Sequence, residues 1–286
     1  MQTASTPLLL GASGQVGYFL LQRLRGDVVA CARSTPTWSS PQRASWRLID
    51  LWESEDAPDH TQLLSAGPLD ACVAWLRRVG PGALQRIVAL SSMSALHKQH
   101  SPSSSERDLA ARLRDSEGDL LAFAQQHEIA CTILRPTLIW GTGLDHSLTP
   151  YARTAAQRGM AIVPSGASGL RQPVHADDLA ALCLALLPRT DVTGAVLAAG
   201  GGECLPLAEV LTRVARSSGA RVVRLPVPRS VLSVSGRLGA QIGIAAAAAL
   251  SRAVIDQCAG DDDVWRVCGV APRGFVPLRG DWIAPI

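Results

Sequence analysis

The chain has 286 residues, 47% of them hydrophobic and 18% charged, a balance that excludes a disordered or collagen-like polymer and suits one large domain or a domain with a lobe. The net charge is +3 with a pI near 8.6, and the basic residues are scattered along the chain, which speaks against nucleic-acid binding. Of the 27 basic residues a single one is lysine, Lys98, and there are two tyrosines, Tyr18 and Tyr151. Chemistry that needs a tyrosine and a lysine side by side therefore has few candidates. The seven cysteines form no CxxC pair and several lie in apolar runs. They read as buried free thiols of a reducing compartment, with neither a disulfide scaffold nor a zinc site expected. The N-terminus has no basic n-region, and the longest apolar run, residues 242–250, falls short of the roughly 20 residues that span a bilayer. A soluble cytoplasmic protein without a transmembrane segment is the expectation.

In chain order, a short apolar strand at residues 7–10 stops at Gly11-Ala12-Ser13-Gly14-Gln15-Val16-Gly17, and helical spacing follows over residues 18–24. Strand, glycine turn and helix form the context of a dinucleotide site. The first glycine permits the turn, the second lets backbone N–H groups approach a pyrophosphate, and the third lets helix and strand pack closely. A second strand at residues 28–32 ends in Arg33, 22 positions after Gly11, near the place where such folds read the adenosine ribose, about 20 residues on. An arginine there in place of an acid suits a 2′-phosphate, so NADP is favoured and NAD is the alternative; a solvated surface arginine is the plainer reading. A third strand at residues 46–49 leads to Asp50 and Leu51, a fourth is expected at residues 71–75, and a fifth at residues 86–90. The ten-residue link between the last two is short for a parallel crossover, which needs a dozen or more residues. The fold expected is α/β, a doubly wound parallel Rossmann sheet with a small, mostly C-terminal substrate lobe. Its strand ends place Arg33, Asp50, Leu51, Trp75, Leu76 and Ser91 beside the cofactor.

Five blocks in order carry a family resemblance: GASGQVG at Gly11 to Gly17, IVALSSMS at Ile87 to Ser94, ILRPTLIWG at Ile133 to Gly141, RQPVHADD at Arg171 to Asp178, and CGVAPRGF at Cys268 to Phe275. With them the chain resembles, nearly end to end, the extended short-chain dehydrogenase/reductases, which include nucleotide-sugar epimerases and dehydratases. The resemblance implies a Rossmann domain over residues 1–140 and 173–200, and a substrate lobe over residues 141–172 and 201–286. Family members exchange a proton through the tyrosine of a YxxxK pair, whose lysine lowers the tyrosine pKa and holds the nicotinamide ribose. Here Tyr18 is followed four residues later by Gln22 and Tyr151 by Ala155, so no YxxxK exists. A helix expected up to Gln126, opened by a Ser105–Asp108 capping pair, carries Leu109 and Leu113 where the pair would stand relative to Glu117. Met93 takes the place of the usual serine or threonine, flanked by Ser92 and Ser94.

The catalytic candidates that remain are Lys98, on the loop expected to face the nicotinamide, with Ser92 and Ser94. A lysine kept in an arginine-rich chain suits a shifted ammonium group, against the reading of a solvated loop lysine. On the substrate side, Arg171 matches a family arginine that grips a nucleotide-sugar diphosphate, or else braces its strand through a carboxylate. Tyr151 either reaches the pocket or sits on a helix surface. His175 and Asp178 are read as setting up a helix over residues 178–187, with Asp177 or Asp178 as N-cap. Further on come a strand at 195–199, an amphipathic helix at 205–216, a strand at 221–225 and a helical hairpin at 232–254. Two functions stand: an NADP(H)-dependent oxidoreductase or epimerase/dehydratase relative with non-standard acid/base residues, or a non-catalytic NADP(H)-binding sensor or structural module. The expected partners are a small-molecule substrate, free or nucleotide-linked, and a second copy in a homodimer.

Overall fold

The computed structural model describes residues 6–56, 60–227, 252–260 and 263–285. The chain opens with β1 (Leu8–Leu10), α1 (Gln15–Arg23), β2 (Val28–Ala32), β3 (Ala44–Leu48), β4 (Gln62–Ser65), α2 (Leu69–Val79), β5 (Arg86–Leu90), the short α3 (Ser94–His97) and the long α4 (Ser104–Gln126). It continues through β6 (Ala130–Pro136), β7 (Ile139–Trp140), α5 (Leu148–Arg158), β8 (Met160–Pro164), β9 (Leu170–Arg171), β10 (Val174–His175), α6 (Ala176–Leu186) and β11 (Val196–Ala199). The last elements are β12 (Leu205–Pro206), α7 (Leu207–Ser217), β13 (Arg221–Leu225) and α8 (Asp263–Val267). Seven strands form one parallel sheet in the order β11-β6-β5-β4-β1-β2-β3. Its order reverses between β1 and its neighbours β2 and β4, the switch point at which such sheets bind ligands.

The inner strands β1, β2 and β5 are buried along their whole length, as expected of strands covered by helices on both faces. On one face α1 and α6 close over Leu9, Val28, Ala30, Val88 and Leu134, joined by Val264 and Trp265 of α8. On the other, α2 and α4 cover Leu8, Leu10, Ile87, Cys131 and Ile133. Each fully buried aliphatic side chain of this kind contributes about 1.5–3 kcal/mol. The lobe has its own small core, in which Trp140 and Phe275 meet edge to face at 4.9 Å and Trp282, Leu148, Val210 and Val214 fill the remainder.

The segment around Ala71 corrects the sequence reading. Residues 71–75 are helical, inside α2, and the fourth strand lies earlier, at Gln62–Ser65. Leu69, Cys72, Val73 and Leu76 recur at i, i+3, i+4 and i+7 and are all buried, the spacing of a helix face. With α2 in place the crossover from β4 to β5 has ordinary length, and the short link disappears. Helix α4 begins at Ser104, after Ser103, without a side-chain cap, so the expected Ser105–Asp108 capping pair does not form. The helix expected from residue 205 starts at Leu207, because Leu205 and Pro206 first pair with β9. The strand at 221–225 forms as expected and pairs with β8. Two of the seven cysteines, Cys204 and Cys258, are joined in a disulfide across 54 residues, which overturns the all-thiol reading; the other five are free. The helical hairpin expected at 232–254 lies almost wholly outside the described residues. Among the described residues no helix is long and apolar enough to cross a membrane.

Helix α1 lies against the glycine turn with no room to spare. A Cβ on Gly17 would stand 2.3 Å from Gly11 O and 2.7 Å from Ala12 Cα, both backbone atoms that cannot step aside. Gly17→Ala is therefore expected to lower stability by about 1–3 kcal/mol, read as a lower urea midpoint at unchanged slope.

Candidate functional site

At the switch point the chain turns from β1 into α1 through Gly11, whose φ of +71° is open to glycine and strained for other residues. The N–H of Gly14 closes this turn on Gly11 O at 3.0 Å, and the first intrahelical bond runs from Tyr18 N–H to Gly14 O at 2.9 Å. The N–H groups of Gln15, Val16 and Gly17 thus precede the helical ladder. No side chain caps them and no acidic residue stands in the first turn, which leaves the positive end of the helix open to an anion. Across the turn the backbone of Gly67, after β4, comes so close that a Cβ on Gly11 would meet Gly67 N at 2.4 Å.

These elements frame a cleft of about 670 Å³ along the C-terminal edge of the sheet. Its floor is Gly11, Ser13, Gly14, Gln15 and Val16, with Ala66, Gly67, Pro68 and Ala71 opposite. One end is formed by Cys31, Arg33, Asp50, Leu51 and Trp52 from the ends of β2 and β3, the other by Leu90, Ser91, Ile139, Leu144 and His146. Arg33 is exposed at its rim, and Asp50 Oδ1 accepts the N–H of Trp52 at 2.9 Å. Burial pushes the Cys31 thiol up to about 11, a little offset by Arg47, so it stays protonated at neutral pH. Gln15 Oε1 is buried here without a hydrogen-bond partner. A glycine-lined floor, an uncapped helix N-terminus and an orphaned amide oxygen fit an elongated, phosphate-bearing cofactor such as a dinucleotide. The backbone N–H groups of α1 would hold its pyrophosphate and Arg33 or Asp50 its ribose.

Ser91 at the end of β5 donates its hydroxyl to Glu117, which is buried in α4 and held by Arg135 through Nε and Nη2 at 2.8 and 2.5 Å. Both carboxylate oxygens are occupied by the guanidinium fork, so Glu117 fixes Ser91 and is not free as a base. Ser92 Oγ accepts the N–H of Ser94 at 3.1 Å and opens the turn into α3. Ser92 and Ser94 are half-buried and do not line the cleft.

Several expected site residues stand elsewhere. Trp75 and Leu76 are buried in α2, packed in the core under the sheet and remote from any strand end. Lys98 follows α3 and pairs through Nζ with Glu106 Oε1 at 3.5 Å; Glu106 also binds Arg252 and the hydroxyl of Ser101. Its ammonium joins α3 to α4 and does not line the cleft. Arg171 is buried, and its donors go to the carbonyls of Leu170, Arg252 and Ile255 at 2.7–2.8 Å. Burial, reinforced by Arg252, holds its guanidinium down at about 10. It braces its strand through carbonyls in place of the expected carboxylate. Tyr151 sits half-buried on α5, its hydroxyl 3.5 Å from Ile162 O, so it is the helix-surface tyrosine.

His175 caps α6 itself, its Nδ1 accepting the N–H of Asp177 at 3.1 Å. Asp177 and Asp178 instead receive Arg23 and Arg273. Burial opposes ionisation of Asp177, but the hydrogen bonds from these two arginines outweigh it and hold its carboxyl below the usual range. His175, Asp177 and Asp178 lie close enough together for a metal, yet both carboxylates are already neutralised by guanidinium groups. Among the cleft residues missed in the sequence are Ala66, Gly67 and Pro68, which follow the unrecognised β4, and Leu144 and His146. An apolar run ending in Gly-Pro before a helical pattern was the available sign for the first group; no local pattern marks the second.

No protein-family model matches the chain, and no curated protein matches it. Solved structures do match. The protein of the structure "MoeE5 in complex with UDP-glucose and NAD" is 18% identical with a TM-score of 0.70, the match covering 97% of this chain and 96% of that one. The epimerase Mth375 from Methanothermobacter thermautotrophicus is 14% identical with a TM-score of 0.71, over 97% and 90%. The Bordetella bronchiseptica enzyme WbmF, in complex with NAD+ and UDP, is 14% identical with a TM-score of 0.70, over 97% and 91%. Likeness over nearly the full length of both partners gives this chain the same fold as these proteins, the α/β Rossmann-like fold that the sequence leads one to expect.

Proposed function

We propose that the protein binds a nicotinamide adenine dinucleotide along the cleft, NADP(H) in preference to NAD(H), and acts as an oxidoreductase on a carbonyl or hydroxyl compound. The observation that carries this reading is the cleft itself: glycine backbone, the open N-terminus of α1 and Arg33 at the end of β2, aligned on the C-terminal edge of a parallel sheet. The chain's part in binding is to neutralise the pyrophosphate with backbone N–H groups and to meet a 2′-phosphate with the Arg33 fork. The cofactor, when bound, supplies redox chemistry at the other end, beside Ser91 and Leu144. Two neighbours were solved with NAD and with UDP or a UDP-sugar. For this chain a nucleotide-linked substrate is not assigned to Arg171, whose donors are engaged by backbone carbonyls. Lys98 is assigned to the brace between α3 and α4 rather than to proton transfer.

Fluorescence titration is expected to show NADPH binding at least tenfold tighter than NADH, with Arg33→Ala removing the difference; equal affinities in the parent protein would refute the 2′-phosphate role. Lys98→Met is expected to leave NADPH affinity within threefold and to cost no more than about 1 kcal/mol of stability, the range of a partly exposed ion pair. A tenfold loss of NADPH affinity in that variant would return Lys98 to the cofactor site.

A further inference from the structure

Among the described residues four ionisable side chains line the cleft: Cys31, Arg33, Asp50 and His146. Three of them stand at the ends of β2 and β3. At the opposite end, beside Leu90, Ser91 and Leu144, His146 is alone in being ionisable, and it is exposed to solvent. Imidazole is the side chain most often used as a general acid or base.

The turn that carries it is held from several sides. The buried carboxylate of Asp145 accepts the N–H groups of Ser147, Leu148 and Thr149 at 2.6–3.0 Å, and the hydroxyls of Ser147 and Thr149 as well. Gly143, with φ +64°, donates its N–H to Asp281 O at 2.7 Å, and Arg153 Nη2 donates to Gly143 O at 2.9 Å. A Cβ at Gly143 would meet the backbone of Ile283 at 2.5 Å. The residue before His146 and the three after it are therefore fixed, while the exposed imidazole, hydrogen-bonded to none of the described residues, stands at the cleft. This is the arrangement by which a rigid support delivers a reactive group.

We infer that His146 is the proton-exchanging catalytic residue of this cleft, in a chain with no tyrosine between Tyr18 and Tyr151. The inference rests on the dinucleotide reading above. In carbonyl reduction the reduced dinucleotide would supply a hydride, two electrons with one hydrogen, for the new C–H bond at the carbonyl carbon, and the chain contributes the proton. The imidazolium N–H bond breaks, an O–H bond forms on the former carbonyl oxygen, and water reprotonates the exposed ring. Oxidation of an alcohol runs the same transfer in reverse. The other charged groups are Arg33 and Asp50 along the cleft, and Asp145, Arg153 and Asp281 around the turn. Asp145 is itself buried beneath its N–H donors.

The test uses the full-length protein, NADPH, and phenanthrenequinone as an activated dicarbonyl probe. Diethylpyrocarbonate labelling followed by peptide mass spectrometry is expected to show NADPH slowing modification of His146 at least fivefold, with the exposed His100 unaffected. With the probe, His146→Asn is expected to lower turnover about 100-fold or more, the usual worth of a general acid, at an NADPH affinity within threefold of the parent. The parent rate should fall as pH rises, as loss of a protonated donor requires, and the residual rate of the variant should lose that dependence. NADPH that binds without protecting His146 overturns its placement at the cofactor. Retained turnover in His146→Asn, or a parent that binds NADPH and reduces no probe, overturns its catalytic role while leaving the dinucleotide reading intact. A parent that does not bind NADPH overturns both.

Discussion

The structure depends on a backbone crossing that tolerates no side chain. Gly11 and Gly17 bring β1 and α1 together, and Gly11 lies against Gly67 of the turn after β4. Three segments thus meet at the centre of the sheet with main-chain atoms in contact. This closeness does two things at once. It packs α1 onto the core that it shares with α6, and it leaves the first-turn N–H groups of α1 bare at the mouth of a cleft, where any Cβ would intrude. The same geometry that holds the fold therefore leaves the N-terminus of α1 open for the pyrophosphate of the proposed cofactor.

Away from this centre, arginine does much of the bracing. Arg135 holds Glu117 and through it Ser91; Arg171 collects three carbonyls, two of them from residues 252–255; Arg273 ties the C-terminal segment to Asp177 and Asp178; Arg213 ties Glu203 to the carbonyl of Phe275. A planar fork with five donors satisfies several acceptors at once, which a lysine ammonium does less well at fixed geometry. The arginine-rich composition thus has a structural use. The strap at residues 252–259 is fixed further by the Cys204–Cys258 disulfide and by the contact of His97 Nε2 with Cys258 O at 3.1 Å.

The absence of a YxxxK pair bears on the end of the cleft beside Ser91 and Leu144. Where a tyrosine and lysine would project from α4, Leu109 and Leu113 stand half-buried, and the nearby Glu117 is locked by Arg135. The polar groups left at that end are the hydroxyl of Ser91, oriented by Glu117, and the imidazole of His146. Among the described residues none of α4 lines the cleft, so the proposed proton exchange falls to the loop side.

The sequence by itself determined the opening strand, glycine turn and helix, the bounds of β2, β5 and β13, the order of the family-like blocks and the lack of a YxxxK pair, because each of these is written in local composition and spacing. Tertiary structure decided what depends on partners far along the chain. Residues 71–75 form a helix because α2 is buried against both the sheet and α4, and a short apolar run reads equally as strand or helix until its neighbours are known. Trp75 and Leu76 left the cofactor site for the same reason. Arg171 and Lys98 found partners up to 84 residues away, and Cys204 found Cys258 across 54. Charge and type fix what such side chains are able to do; only the fold, by setting which acceptor lies within reach and which surface is dry, fixes what they do.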